Sequence, residues 1–212
     1  SRKAGSRVLI RSGRETPQWP PDIFTVPREG GEPEKLPIGG AISFSIDPQS
    51  GRYAFTRNGG GGTWKRYRGG TADDIWVGDP VKADFARVTT FEGADTGPMW
   101  HGGVIYFLCD QGGTMNLWSM NPDGTLRKQL TRFDTWDARQ ASVDPTTGRI
   151  AFTLAADIHI YDPASDTDRL VAIDLPSERT LTRIRYPDAS QYLRSFALAP
   201  DGDRVAVEAR GE

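Results

Sequence analysis

The sequence predicts an all-β fold built from repeated four-stranded antiparallel units. Three observations carry this reading: a strand–turn–strand motif that recurs along the chain, two further strands that recur behind it on one shared spacing, and a high density of chain breakers. Gly and Pro number 24 and 15 among 212 residues, which leaves little room for long helices.

The motif reads Ser45-Ile46-Asp47-Pro48-Gln49-Ser50-Gly51-Arg52-Tyr53-Ala54-Phe55-Thr56 in its first copy. Ser142-Val143-Asp144-Pro145-Thr146-Thr147-Gly148-Arg149-Ile150-Ala151-Phe152-Thr153 repeats it 97 residues later, about two repeats on. Ala197-Leu198-Ala199-Pro200-Asp201-Gly202-Asp203-Arg204-Val205-Ala206-Val207 is a looser third copy, and Gly97–Leu108 a degenerate one between the first two. In each, Pro and Gly bracket a reversal and an alternating apolar strand follows. The chain opens on a strand of the same kind, Arg7–Arg11.

A second strand recurs at Ile23–Val26, Ile75–Gly78, Leu117–Met120 and Ile158–Tyr161, in steps of 52, 42 and 41 residues. Each runs into a polar turn such as Asn121-Pro122-Asp123-Gly124. A last short strand follows at Glu34–Leu36, Arg87–Thr89, Lys128–Thr131 and Arg169–Val171, on the same steps. Four short antiparallel strands at this period form the blade of a β-propeller rather than a β-sandwich. Radial packing then buries aromatic faces supplied by Phe55, Trp76, Phe107, Trp118, Phe152 and Tyr161.

Residues 7–37 read as the last three strands of a blade. Residues 41–91, 94–133 and 137–176 read as whole blades, with innermost strands that include Ile42–Ile46, Thr96–Trp100 and Arg139–Val143. Residues 193–209 add two strands beyond an irregular stretch, 177–192. The count does not close a ring. The expectation is a β-propeller fragment of four-stranded antiparallel blades, with residues 1–176 and 193–212 in different structural units.

Charge and composition exclude several classes. Lys plus Arg number 26 against 28 Asp plus Glu, a net charge of −2, which argues against a nucleic-acid partner. No apolar run approaches the length of a membrane span, and no signal peptide is visible. A single cysteine, Cys109, rules out an internal disulfide and any multi-cysteine metal site. It ends an apolar strand, where packing is expected rather than reactivity.

The catalytic candidates are few. His101 lies in a Gly-rich turn and His159 alternates within a strand, so both read as locally bonded residues. No Gly-x-Ser-x-Gly elbow and no His-Glu-x-x-His zinc motif occurs. Gly59–Gly62 lacks the Gly-Lys-Ser/Thr continuation of a phosphate loop and reads as a hairpin extension. No metal and no cofactor is expected, and the isolated chain is expected to hydrolyse no peptide.

Trp64-Lys65-Arg66-Tyr67-Arg68-Gly69-Gly70-Thr71 is the most unusual stretch. Three cations interleave with two aromatics on a Gly-hinged loop. Such a patch can stack bases, clamp carboxylates or dock a neighbouring subunit, and the near-zero net charge makes nucleic acid the weakest of these. Trp64, Lys65, Arg66, Tyr67 and Arg68 are therefore the candidates for peptide-carboxylate capture or a domain contact. A solvated loop folded back on its own blade is the plain alternative.

This run, together with Pro98–Phe107 and Met115–Gly124, resembles the tricorn protease family in register from about Arg7 to Arg210. The resemblance implies the later blades of a six-bladed propeller (1–176), a linker (177–192) and the first hairpin of a following seven-bladed propeller (193–212). It implies a hexameric, cytoplasmic serine protease, a hydrolase that trims oligopeptides, with catalytic residues in C-terminal domains that no position here matches. Within it this portion would be a size-selective channel or gate and an assembly scaffold. Its partners would be oligopeptide substrates or products and the remaining domains of the same protein. A TolB-like interaction propeller or the gating propeller of a prolyl-oligopeptidase-like enzyme is the competing reading.

Overall fold

In a computed structural model the described residues are 7–15, 19–58, 64–174, 176, 183, 184, 186 and 188–209. Gly59–Gly62 lies outside them. The chain divides into two compact units, Ser1–Ala172 and Ile173–Glu212.

Among its described residues the first unit holds four antiparallel sheets in chain order. The first has three strands, β1 (Arg7–Ser12), β2 (Asp22–Pro27) and β3 (Glu34–Gly40). The second is β4 (Phe44–Ile46), β5 (Tyr53–Thr56), β6 (Ile75–Asp79) and β7 (Asp84–Arg87). The third is β8 (Asp95–His101), β9 (Val104–Cys109), β10 (Asn116–Met120) and β11 (Lys128–Gln129). The fourth is β12 (Ala138–Val143), β13 (Ile150–Leu154), β14 (Asp157–Asp162) and β15 (Thr167–Leu170). Each sheet is a meander, every strand pairing with its neighbour in sequence.

The repeated motif folds the same way in both close copies. The Asp47 N–H donates to the Arg52 carbonyl at 2.9 Å, and the Asp144 N–H to that of Arg149 at 2.8 Å. Each carboxylate accepts from the turn behind it: Asp47 from the Gln49 and Ser50 N–H groups, Asp144 from the Thr146 N–H and the Thr147 hydroxyl. Gly51 and Gly148 close the turn at φ +73° and +74°. An L side chain adopts this backbone rarely, which is why glycine recurs there.

Cores form between sheets, not within them. On β9, Ile105, Phe107 and Cys109 face Ala54, Ile75 and Val77 of the second sheet. The alternate residues Tyr106 and Leu108 face Ile150, Phe152 and Tyr161 of the fourth. Ile23, Leu36 and Ile38 of the first sheet likewise meet Tyr53 and Phe55 of the second. A period of two thus turns each strand into a two-sided wedge between neighbours. Phe55 and Phe107 reach zero exposure, each such burial contributing about 1.5–3 kcal/mol.

The last strands differ from expectation. β7 occupies Asp84–Arg87, three residues ahead of the expected Arg87–Thr89. The Asp79 carboxylate accepts from the Val81 N–H at 2.8 Å, and the tight turn starts the return strand at once. The ladder then ends because the Thr89 hydroxyl takes the Ile75 N–H at 2.8 Å. The third sheet repeats the device: Thr131 accepts from the Leu117 N–H at 2.9 Å, and β11 stops at Gln129.

The second unit holds a 3-10 turn, Ala189–Gln191, and the hairpin β16 (Leu193–Leu198) and β17 (Val205–Ala209). Among the described residues these two strands pair only with each other.

Candidate functional site: a basic strap over three blades

The connection from β5 to β6 is the long one, and of its described residues, 64–74 leave their own sheet. Arg66 Nε donates to the Gly113 carbonyl of the third sheet at 2.5 Å. Arg68 donates to Asp110 Oδ2 at 2.7 Å and lies over the Phe91 ring at 4.9 Å. Lys65 Nζ lies 3.4 Å from Asp137 Oδ1, just before the fourth sheet. One loop therefore straps three blades together.

Asp110 fixes the strap from below. It is buried, and it also accepts the Ala94 N–H at 3.0 Å. Gly93 makes room: a Cβ there would lie 2.4 Å from Arg68 Nη1 and 2.5 Å from Asp110 Oδ1.

A cavity of about 560 Å³ lies beneath the strap. It opens where the inner strands begin, at Ile42, Thr96 and Ala138, and where β9 and β13 end. Trp64, Lys65 and Arg66 line it from the strap, and Arg139 from β12. A second cavity of about 390 Å³ shares Lys65, Asp137 and Arg139 and adds Trp136. Trp64 and Trp136 are each 59% exposed.

The five sequence candidates divide. Trp64, Lys65 and Arg66 line the cavity. Arg68 is committed to Asp110, and Tyr67 folds back, its ring 5.4 Å from that of Trp64 and its hydroxyl accepting from Thr71 at 3.0 Å. Sequence reading missed Arg139, Asp137, Trp136 and Asp73, which come from other blades or from the base of the loop.

Three cations, Lys65, Arg66 and Arg139, and three acids, Asp73, Asp110 and Asp137, line the first cavity. Lys65 and Arg139 share Asp137, at 3.4 and 3.5 Å. Asp110 is matched by Arg68. Asp73 is different: it is 2% exposed, and its Oδ1 has no hydrogen-bond partner. Burial pushes its carboxyl up to about 7, and the neighbouring charge of Asp74 adds to this. The Thr96 hydroxyl and the Asn58 main chain oppose the shift by hydrogen bonding.

The remaining chemistry-bearing residues are structural. Cys109 is fully buried, which pushes its thiol up, and its sulfur accepts from Arg127 at 3.0 Å. Arg127 grips Asp95 with two bonds of 2.9 and 2.6 Å. His159 Nδ1 lies 3.2 Å from Asp168, its ring stacked on Phe152. The His101 ring lies under the turn at Gly148, where a Cβ would come within 2.7 Å of it. Among the described residues no group of three potential metal ligands gathers, and no helix is long and apolar enough to cross a membrane.

Four-stranded meanders with cores between them define the class: this is a β-propeller segment. TolB from Acinetobacter baumannii shares the fold over 78% of this chain and 40% of its own, at 16% identity and a TM-score of 0.61. The chain belongs to the tricorn protease N-terminal β-propeller domain family, whose model matches residues 2–167. It is similar over its whole length to the tricorn protease homolog of Saccharolobus solfataricus, at 28% identity across 20% of that protein. It is 31% identical to the tricorn protease of Thermoplasma volcanium over 70% of this chain and 14% of that one. The crystal structure of the tricorn protease superposes on 97% of this chain and 20% of its own, with a TM-score of 0.72 at 25% identity. The chain thus spans about a fifth or less of the length of these relatives.

Proposed function

We propose that this segment is the non-catalytic propeller portion of a tricorn-like serine peptidase that trims oligopeptides. It lines a passage for substrates or products, and the strap Trp64–Arg68 captures peptide carboxylates at the end of that passage. Residues 1–176 would supply later blades of a six-bladed propeller, 177–192 a linker, and 193–212 the first hairpin of the next. Assembly into a cytoplasmic hexamer belongs to the same proposal.

One observation carries the reading. Lys65, Arg66 and Arg139 converge on one cavity, where Lys65 and Arg139 share one carboxylate, Asp137, and Asp110 is taken by Arg68 from the strap, in a chain whose net charge is −2. Arg66 spends Nε on Gly113 and has further donors on its guanidinium. Charge-assisted hydrogen bonds to a carboxylate are the natural use of such donors. The exposed indole of Trp64 beside them supplies an apolar wall for the residue that bears the carboxylate.

The test uses the complete protein and trialanine, titrated calorimetrically beside trialanine amide. The free carboxylate is expected to bind about tenfold tighter or more, as befits a hydrogen bond to charged groups. Lys65→Ala with Arg66→Ala should remove that preference. Equal binding of both peptides by the unmodified protein would overturn the reading.

A further inference from the structure

Among the described residues five aspartates are buried: Asp22, Asp47, Asp73, Asp95 and Asp110. Four have evident compensation. Lys35 reaches Asp22 at 2.6 Å, Arg127 holds Asp95, and Arg68 holds Asp110. Asp47 caps its own turn. Asp73 has no cation among its partners, and one of its oxygens is unpaired. A buried carboxyl left so costs stability, so it calls for a reason.

The blade does not require an acid at this position. The Asp95 N–H donates to the Asp73 carbonyl at 2.8 Å, and the Ala138 N–H to the Met115 carbonyl at 2.9 Å. Asp73 and Met115 therefore hold the same place in successive sheets, two residues before Ile75 and Leu117. In the fourth sheet Ala156 stands two residues before Ile158. The third blade fills the place with an apolar side chain and the fourth has an exposed turn there, and of the three only the blade that carries the strap holds a carboxyl.

The position also lies in the wall of the 560 Å³ cavity. Lys65, Arg66 and Arg139 line the same cavity, yet none of them is among the groups that bear on Asp73. Asp110 and Asp137, the other acids of the lining, already have cations. The cavity thus has a cationic part and a separate acidic part, the second unmatched.

We infer that Asp73 receives a primary ammonium group of a short peptide held in the cavity, while Lys65, Arg66 and Arg139 hold its carboxylate. This rests on the carboxylate reading above and extends it to a zwitterionic ligand. Two sources carry the same chemistry, a peptide α-amino group and a lysine side chain, and the first fits a short peptide spanning the cavity. An arriving ammonium supplies the charge partner that the fold withholds, so the ionised form of Asp73 becomes the favoured one. Because burial pushes its carboxyl up to about 7, binding at neutral pH then expels up to about half a proton.

Calorimetry on the complete protein tests this with trialanine, N-acetyl-trialanine, trialanine amide and N-acetyl-Ala-Ala-Lys. N-acetylation is expected to weaken binding about tenfold or more, the cost of a lost charge-assisted bond. In Asp73→Asn and in Asp73→Met, which copies the third blade, acetylation should change binding by no more than about twofold, the margin for uncoupled changes. Binding enthalpies in buffers of different ionisation enthalpy should report proton release near pH 7 in the unmodified protein and none in either variant. Recovery of affinity by N-acetyl-Ala-Ala-Lys supports the ammonium site with a side-chain source. If amidation weakens binding and acetylation does not, the Asp73 site is wrong and the carboxylate reading stands. If neither matters, both fall.

Discussion

The hairpin of β12 and β13 and the hairpin of β16 and β17 are closed by equivalent main-chain hydrogen bonds. Asp144 N–H to Arg149 carbonyl measures 2.8 Å, and Ala199 N–H to Arg204 carbonyl 2.9 Å. Gly148 and Gly202 sit at φ +74° and +75°. The strands that follow alternate alike, Arg-Ile-Ala-Phe against Arg-Val-Ala-Val. Yet Ile150 and Phe152 are 0% and 2% exposed, while Val205 and Val207 are 55% and 52% exposed. Local sequence makes the hairpin; a neighbouring sheet on either side makes the core. An isolated two-stranded hairpin is marginal in water for that reason.

Substitutions sharpen the contrast. Phe107→Ala, at the meeting of the second and third sheets, should cost about 3–5 kcal/mol in urea unfolding of the chain. Phe196→Ala, whose ring is 75% exposed, should stay within about 0.5 kcal/mol. A comparable loss at both sites would mean that the two hairpins are cored alike.

Arg127→Ala comes next. It strands Asp95, which is 0% exposed on its side chain, and should cost about 3 kcal/mol in the same assay. Asp95→Asn should be milder, since a neutral amide is cheaper to bury than a carboxylate without its cation.

A smaller loss than at Phe107 or Arg127 concerns pH. Asp73 is pushed up to about 7, so the folded chain holds a proton that the unfolded chain has released. Its contribution is therefore fully present below the ordinary carboxylate range and lost as pH rises through about 7. Between about pH 6 and pH 8 stability should fall by about 1 kcal/mol from this group. Thermal melts of Asp73→Asn should lack that slope; an unchanged slope would assign it elsewhere.

The fold was largely legible because a propeller writes its period into the chain. The third strands matched at Ile75, Leu117 and Ile158, since each carries the aromatic or aliphatic wedge at a fixed offset from its turn. The last strands were misplaced where a threonine hydroxyl, not the ladder, takes the next N–H, as at Thr89 and Thr131. A side chain that ends a ladder leaves no hydrophobic signature.

The site was half legible. Trp64, Lys65 and Arg66 are contiguous, so their clustering shows in sequence. Arg139 and Asp137 join them only because sheets two, three and four stand side by side; Asp137 is 72 residues from Lys65 in sequence. Tyr67 and Arg68 carry the same composition as their neighbours but point back to Thr71 and Asp110. Asp73 had one available signal, its place opposite Met115 and Ala156 in the repeat.

Hydrogen exchange on the 212-residue chain tests the central claim, that burial here is made between sheets. Amides of Ile105–Leu108 lie in a strand paired on both sides and covered on both faces. Those of Val205–Ala209 lie in a two-stranded sheet with every residue exposed. The first set should exchange slower by about a thousandfold or more. Equal protection of the two would contradict the account and make the final hairpin an integral part of the cored sheets.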